Sequence, residues 1–274
     1  MTGARAQRAE IAVVGGSGFY AFLDDTRQVS VHTPYGAPSA PVTIGTVGDR
    51  PVAFLPRHGL AHEYPPHKVN YRANMWALHT LGVQRVIGPC AVGSLRPEIA
   101  PGQFVILDQL VDRTWGRLDT YLDGPVVGHI SFADPYCPEL GGVVAAAGAG
   151  LSELSVHDRG TVVVIQGPRF STRAESRWFR AAGWQVINMT QYPEAYLARE
   201  LGMCYCGLAL VTDYDTGLEG VEGIKPVTME QVFATLAANV SRTRDLLFAA
   251  IPAIPASPGC RCGAALASGP LGEP

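Results

Sequence analysis

The chain is short of charge. Only 16% of its 274 residues are Asp, Glu, Lys or Arg, low for a free globular surface, and partner subunits covering part of it would explain the shortage. A basic excess is also missing. Lys and Arg number 21 against 24 Asp and Glu, for a formal charge of −3. General nucleic-acid binding needs a basic footprint, so no nucleic-acid partner is expected. No apolar run is long enough to span a bilayer, and the polar start from Met1 to Glu10 carries no signal-peptide core. These absences predict a cytoplasmic chain with no membrane partner. The six cysteines are scattered, which argues against a disulfide framework. No internal repeat is visible. What is present is 47% hydrophobic residues, enough for one large α/β domain or two small ones.

The most informative stretch runs from Gly207 to Asp215. Apolar and small residues lead into Thr212, Asp213, Tyr214 and Asp215. A short continuous apolar run predicts a strand buried on both faces, in a sheet sandwiched by helices. Ligands collect beyond the carboxyl ends of such strands. Asp213 and Asp215, on alternate residues, face one way if the strand continues. Such a pair accepts hydrogen bonds from a polar heterocycle or passes it a proton. The same residues also fit a polar loop with a turn-forming Asp.

Ile11 to Val14 reads as a first strand running into Gly15-Gly16-Ser17-Gly18, a bend able to cradle an anion on backbone N–H groups or to be a mere turn. It also fits a loose dinucleotide fingerprint. That fingerprint wants an acidic residue about 20 positions on, and no Asp or Glu occurs from Thr26 to Gly48. Dinucleotide binding is therefore set aside. Val42–Val47 and Pro51–Leu55 predict a hairpin that delivers Arg57 and His58, a fork of donors and a shared charge suited to phosphate. His62 and His67 lack zinc spacing and read as loop residues. Asn70 to Leu81 is helical in period and stops at Gly82. Arg85–Cys90 reads as a strand followed by a small-residue turn, Ala91 to Ser94. Phe104–Val111 and Thr161–Ile165 are strands. Thr172 and Glu175 form a capping box on a helix that ends at Gly183. Val186-Ile187 is a short strand, and a helix starts at Pro193. Thr228 and Gln231 cap a long helix to about Ala250, ended by Pro252. Cys204-x-Cys206 reads as core packing. Cys260-x-Cys262, able to oxidise or bind metal, reads as an incidental tail pair. The expectation is a polar extension over 1–10, one α/β domain with a mixed, largely parallel sheet flanked by helices over 11–252, and a Pro/Gly-rich, disordered tail over 253–274.

Taken in order, Val14-Gly15-Gly16-Ser17-Gly18, Arg57-His58-Gly59, Lys68-Val69-Asn70-Tyr71, Gly93-Ser94-Leu95, Gln166 to Glu175, Asn188-Met189-Thr190 and Thr212 to Asp215 resemble the 5′-methylthioadenosine phosphorylases, in the trimeric branch of the purine nucleoside phosphorylases. The resemblance spans roughly Ile11 to Ile251. It implies phosphorolysis of methylthioadenosine to adenine and 5-methylthioribose 1-phosphate. Inorganic phosphate is then the co-substrate, with no metal or organic cofactor. It also implies a homotrimer with active sites at subunit interfaces. By family position, Ser17, Arg57, His58, Cys90, Ala91 and Thr190 hold phosphate, with Thr212 as a further candidate. Met189 lies against the ribose, and Phe170 and Ser171 near the sugar or base. Asp213 and Asp215 are catalytic, flanking Tyr214 in the base pocket. The 5′ group falls to Met229 and to His129 from a neighbouring subunit. Relatives often have Thr where this chain has Cys90, and the loop Thr216–Pro226 differs in length. A broader purine nucleoside phosphorylase and a non-catalytic nucleoside-binding protein are the other readings.

Overall fold

A computed structural model describes residues 8–15, 24–125, 128–218, 220–221, 224 and 229–267, with the side chains of 24, 229–234, 236–238 and 266–267 outside the described set. The Gly16-Ser17-Gly18 bend, Thr228 and the side chains of Met229 and Gln231 thus lie outside the described residues. Among those described, eleven strands join in one mixed sheet. The apolar segments supply its centre: β1 (Ile11–Gly15), β3 (Val42–Val47), β4 (Arg50–Pro56), β5 (Arg85–Ser94) and β11 (Cys204–Tyr214). β3 and β4 form the expected antiparallel hairpin, and β1 runs parallel to β4 and β5. β2 (Asp24–Val29) extends the hairpin; its polar sequence carries no strand signal. β9 (Thr161–Ile165) and β10 (Val186–Asn188) are parallel neighbours.

Alternation along the strands builds two cores. Ala12, Val14, Tyr205, Ala209 and Val211 face one side, against Met75 and Leu78 of α1 (Tyr71–Thr80) and Leu197 of α4 (Gln191–Glu200). Ile11, Val13, Leu208 and Leu210 face the other, against Leu140 and Val144 of α2 (Pro138–Ala149) and Leu246 and Ala250 of α5 (Met229–Ala253). The buried run of β11 is therefore sandwiched by helices as its sequence predicts. α3 (Arg173–Ala181) starts at the expected Thr172–Glu175 capping box.

Four expectations need correction. Phe104–Val111 is two strands: β6 (Phe104–Ile106) pairs with β11 and with β8 (Val156–His157), whereas β7 (Gln109–Arg113) pairs with β9. The chain changes partners at Asp108, whose carboxylate accepts the Gly160 N–H at 3.2 Å. Ala91 to Ser94 is the end of β5 and not a turn, because β11 pairs with it throughout. α2 was unforeseen, since its Gly-rich, small-residue sequence has weak helical signal. The tail, expected to be disordered from residue 253, packs on the second core through Ile254 and Cys262, both 2% exposed, and closes with a short helix, α6 (Ala264–Ala267). Burial of apolar side chains offsets the ordering of this segment. Cys260 and Cys262 are accordingly not incidental; their sulfurs join those of Cys137 and Cys204. Cys206 is plain core packing, as expected.

Candidate active site

A fork in the sheet creates the site. β11 occupies one edge of β5 from Arg85 to Ser94. On the opposite edge, β1 pairs only with residues 85 to 87, and β10 joins antiparallel at Gly93 and Ser94. Between them, among the described residues, no strand neighbours the β5 backbone on that edge, and side chains take over. Arg57 Nη1 donates to the Pro89 carbonyl at 3.0 Å, and Asn188 Nδ2 donates to the Ala91 carbonyl at 3.0 Å. Such a divergence is where open α/β sheets bind ligands.

Arg57 sits at the end of β4 and is 2% exposed. Its Nε and Nη2 each donate to a Glu194 carboxylate oxygen at 2.7 Å, and Nη2 also donates to the Val14 carbonyl at 2.7 Å. Four of its five N–H groups are thus committed within the chain. Its pKa is raised: burial opposes the charge, and the Glu194 carboxylate overrides that penalty. Most of the donor fork expected to suit phosphate is thus engaged in a buried bidentate ion pair, because a naked guanidinium at this depth would be prohibitively desolvated. Tyr205 donates its hydroxyl to Glu194 at 2.5 Å.

His58 follows. Its Nδ1–H donates to the Tyr64 carbonyl at 2.8 Å, which fixes the tautomer because a carbonyl can only accept. The ring stacks on His62 at 4.5 Å between centroids. Burial, then the Arg57 charge, lower its pKa to about 4, so the ring is neutral at pH 7 with Nε2 as an acceptor. Cys90 is buried, and its thiol is pushed up to about 12 mainly by that burial. Its sulfur takes Gln191 Nε2 at 3.3 Å, so the side chain is already used within the chain. Asn188 Oδ1 accepts the backbone N–H of Thr190 at 2.6 Å and of Gln191 at 2.8 Å, which anchors Thr190 beside the fork.

The carboxylate pair lies on the other edge. A register shift between Val211 and Asp213 interrupts the β5 ladder, and Asp215 falls just past the strand end. The pair therefore does not follow from simple alternation. Gly93 holds the two together: a Cβ there would lie 3.4 Å from Asp213 Oδ2 and 3.5 Å from Asp215 Cβ. Thr212 Oγ1 lies 2.6 Å from Asp213 Oδ1 and 3.2 Å from the Val92 carbonyl, with one proton to share. Ser171 Oγ donates to Asp215, at 2.9 and 2.8 Å from its two oxygens. Asp213 has a raised pKa; burial dominates, the Thr212 hydrogen bond opposes it and the Asp215 charge adds to it.

The remaining predicted residues divide. Met189 packs at Gly167, where a Cβ would come within 2.7 Å of its sulfur. Phe170 is 61% exposed and packs against neither core. Tyr214 donates its hydroxyl to the Pro97 carbonyl at 3.1 Å, which commits its polar end away from the carboxylates. His129 is exposed. A cavity of about 450 Å³ lies beside the Gln166–Phe170 segment, lined by Arg113, Trp115, Gln166, Arg169 and Trp178 among others, and includes neither Asp213 nor Arg57. Two residues missed from sequence shape the site. Glu194 fixes Arg57. Arg117 donates to the carbonyls of Gln166 and Met189, each at 2.9 Å, and to that of Tyr192, tying three site segments together. Arg117 sits in a loop whose sequence gives no sign of this.

Residues 10–252 match the Phosphorylase superfamily, and the chain belongs to that family. It is 60% identical to the S-methyl-5′-thioadenosine phosphorylase of Mycobacterium tuberculosis, over 88% of each chain. It is 55% identical to the purine nucleoside phosphorylase of Streptomyces coelicolor, over 94% of this chain and 95% of that one. Among solved structures, a methylthioadenosine phosphorylase from an antarctic soil metagenomic library superposes with a TM-score of 0.90, at 39% identity over 96% of this chain and 92% of that chain.

Proposed function

We propose that the chain is a pentosyltransferase that cleaves S-methyl-5′-thioadenosine with inorganic phosphate, in purine and methionine salvage. The observation that carries this is the Asp213–Asp215 pair around Gly93, on the edge of β5 opposite the fork, one carboxyl raised in pKa and the other held by a hydroxyl. The relatives named for this reaction support it. In the reaction a phosphate oxygen attacks the anomeric carbon, and the bond to N9 breaks with its electron pair passing to the purine. Asp213, its protonated form favoured by burial, donates to N7 of the departing base. Asp215 accepts from the exocyclic amine and would face a 6-oxo group as acceptor against acceptor. The anion lies at the fork, by Arg57, Ala91 and Thr190, with Ser17 as a further ligand by family resemblance, and stabilises positive charge developing on the sugar. Neutral His58 accepts a hydrogen bond from the phosphate P–O–H. Cys90 contributes through its backbone.

Met189 borders the ribose. By family position the 5′ group falls to Met229 of the same chain and to His129 of the partner subunit, in a cytoplasmic homotrimer. Exposed Trp115, at 73%, and Trp178, at 50%, support a covered face. No metal or organic cofactor takes part in the reaction. Among the described residues no helix is long and apolar enough to cross a membrane. A broader purine nucleoside phosphorylase is the second reading, favoured by the Streptomyces coelicolor relative. Base release from methylthioadenosine, adenosine, inosine and guanosine, with and without phosphate, separates the two. Phosphate-dependent adenine release with methylthioadenosine preferred is expected. Turnover of inosine and guanosine alone would overturn the role given to Asp215. Binding without turnover would make the chain a nucleoside-binding protein.

A further inference from the structure

At the opposite end of β11 from the aspartates, four cysteines from three parts of the chain converge. Cys137 is the N-cap of α2, Cys204 is the first residue of β11, and Cys260 and Cys262 come from the returning tail. Their four sulfur atoms all lie within 4.8 Å of one another. Cys204 and Cys260 stand 3.2 Å apart, sulfur to sulfur. Four thiolates around one ion at a metal–sulfur distance of about 2.3 Å would be separated by roughly 3.8 Å in a regular tetrahedron. The observed separations, from 3.2 Å for Cys204–Cys260 up to at most 4.8 Å, bracket that spacing.

We propose that Cys137, Cys204, Cys260 and Cys262 bind a single zinc ion that fastens the tail to the sheet. All-sulfur donors in a tetrahedral set select zinc over hard cations. The surroundings suit thiolates. The Leu140 backbone N–H donates to Cys137 Sγ at 3.4 Å, at the positive end of α2. The tail is independently held in place, since Glu139 Oε2 accepts the Gly259 N–H at 2.7 Å. Three of the cysteines are buried and Cys260 is partly exposed, which gives the ion a way in. Loading releases one proton for every ligand thiol that is protonated beforehand and involves no redox step. Asp213 lies nine positions along β11 from Cys204, about 30 Å of strand. The ion is therefore structural and takes no part in base release.

The test uses the full chain purified under reducing conditions without chelator. Elemental analysis should find about one zinc per chain, as a closed site of this kind holds. Replacing zinc by cobalt(II) should give sulfur-to-cobalt charge-transfer bands and the strong visible bands of a tetrahedral ion. The double variant Cys260→Ser/Cys262→Ser, which leaves strand and helix intact, should lose the metal and keep phosphate-dependent turnover. Should that variant misfold, removing zinc from the wild-type chain with a chelator must lower Tm, and zinc alone must restore it. Absence of metal after incubation of the reduced chain with zinc, together with no cobalt bands, would overturn the proposal. So would a mass deficit of two hydrogens per cysteine pair in the chain as isolated, since that shows disulfides in place of an ion.

Discussion

Two acidic clusters border β5 and are wired in opposite ways. On one edge, Glu194 is completely buried and receives two Arg57 donors and the Tyr205 hydroxyl. On the other, Asp213 and Asp215 meet hydroxyl partners among the described residues, Thr212 and Ser171, and stand beside each other. A carboxylate locked to a guanidinium keeps its position. The Asp213 carboxyl, half-buried, near a like charge and with no cation beside it among the described residues, has its protonated form favoured, mainly by burial. The first cluster builds the floor of the site, and the second is equipped to move a proton.

The sharpest way to break this contrast is to neutralise one member on each edge. Asp213→Asn should reduce adenine release roughly 100- to 10,000-fold, the usual worth of a positioned proton donor, while phosphate KM shifts far less. Unchanged kcat would remove Asp213 from the chemistry. Arg57→Ala should instead act on the fold, because it strands Glu194 as a buried charge; about 3–5 kcal/mol of stability should be lost in urea titrations. A near-native midpoint would show that Glu194 does not depend on Arg57. A smaller effect is expected at Ser171, where Ala removes a hydrogen bond to the Asp215 carboxylate, worth about 1.5–3 kcal/mol. KM for methylthioadenosine should rise about tenfold, with phosphate KM unaffected; equal changes in both would deny Ser171 a role in the base pocket.

The mildest effect concerns pH. His58 is held neutral, with its folded pKa near 4, below the ordinary histidine value. The unfolded chain takes up that proton first as pH falls. Its contribution to stability is therefore intact above about pH 6.5, the ordinary histidine value, and is lost progressively down to about 4. His58→Gln should flatten this part of the stability–pH curve. An unchanged slope would place the titration elsewhere.

Much of this was legible in the sequence because its signals are local. The apolar run into Thr212, Asp213 and Asp215 announced β11, its burial and the acids at its end. The Thr172–Glu175 box announced α3. What escaped depends on distant partners. Glu194 reads as an ordinary helix residue, since Arg57 lies 137 positions away. Phe104–Val111 looks like one strand because the switch of neighbours is marked only by the two polar residues Asp108 and Gln109, with apolar residues on both sides. In α2, Gly141 and Gly148 look like helix breakers, yet they permit close packing: a Cβ at Gly148 would come within 2.6 Å of Val156. The sulfur cluster needs the tail to fold back across α2 and β11, and no spacing encodes that.

The most direct measurement is a crystal structure grown with adenine and sulfate together. The account predicts adenine with N7 within hydrogen-bond reach of Asp213 and its amine at Asp215, and sulfate at the β5 fork beside Arg57, His58 and Thr190. Adenine bound away from both aspartates, or sulfate lodged away from the fork, would contradict it.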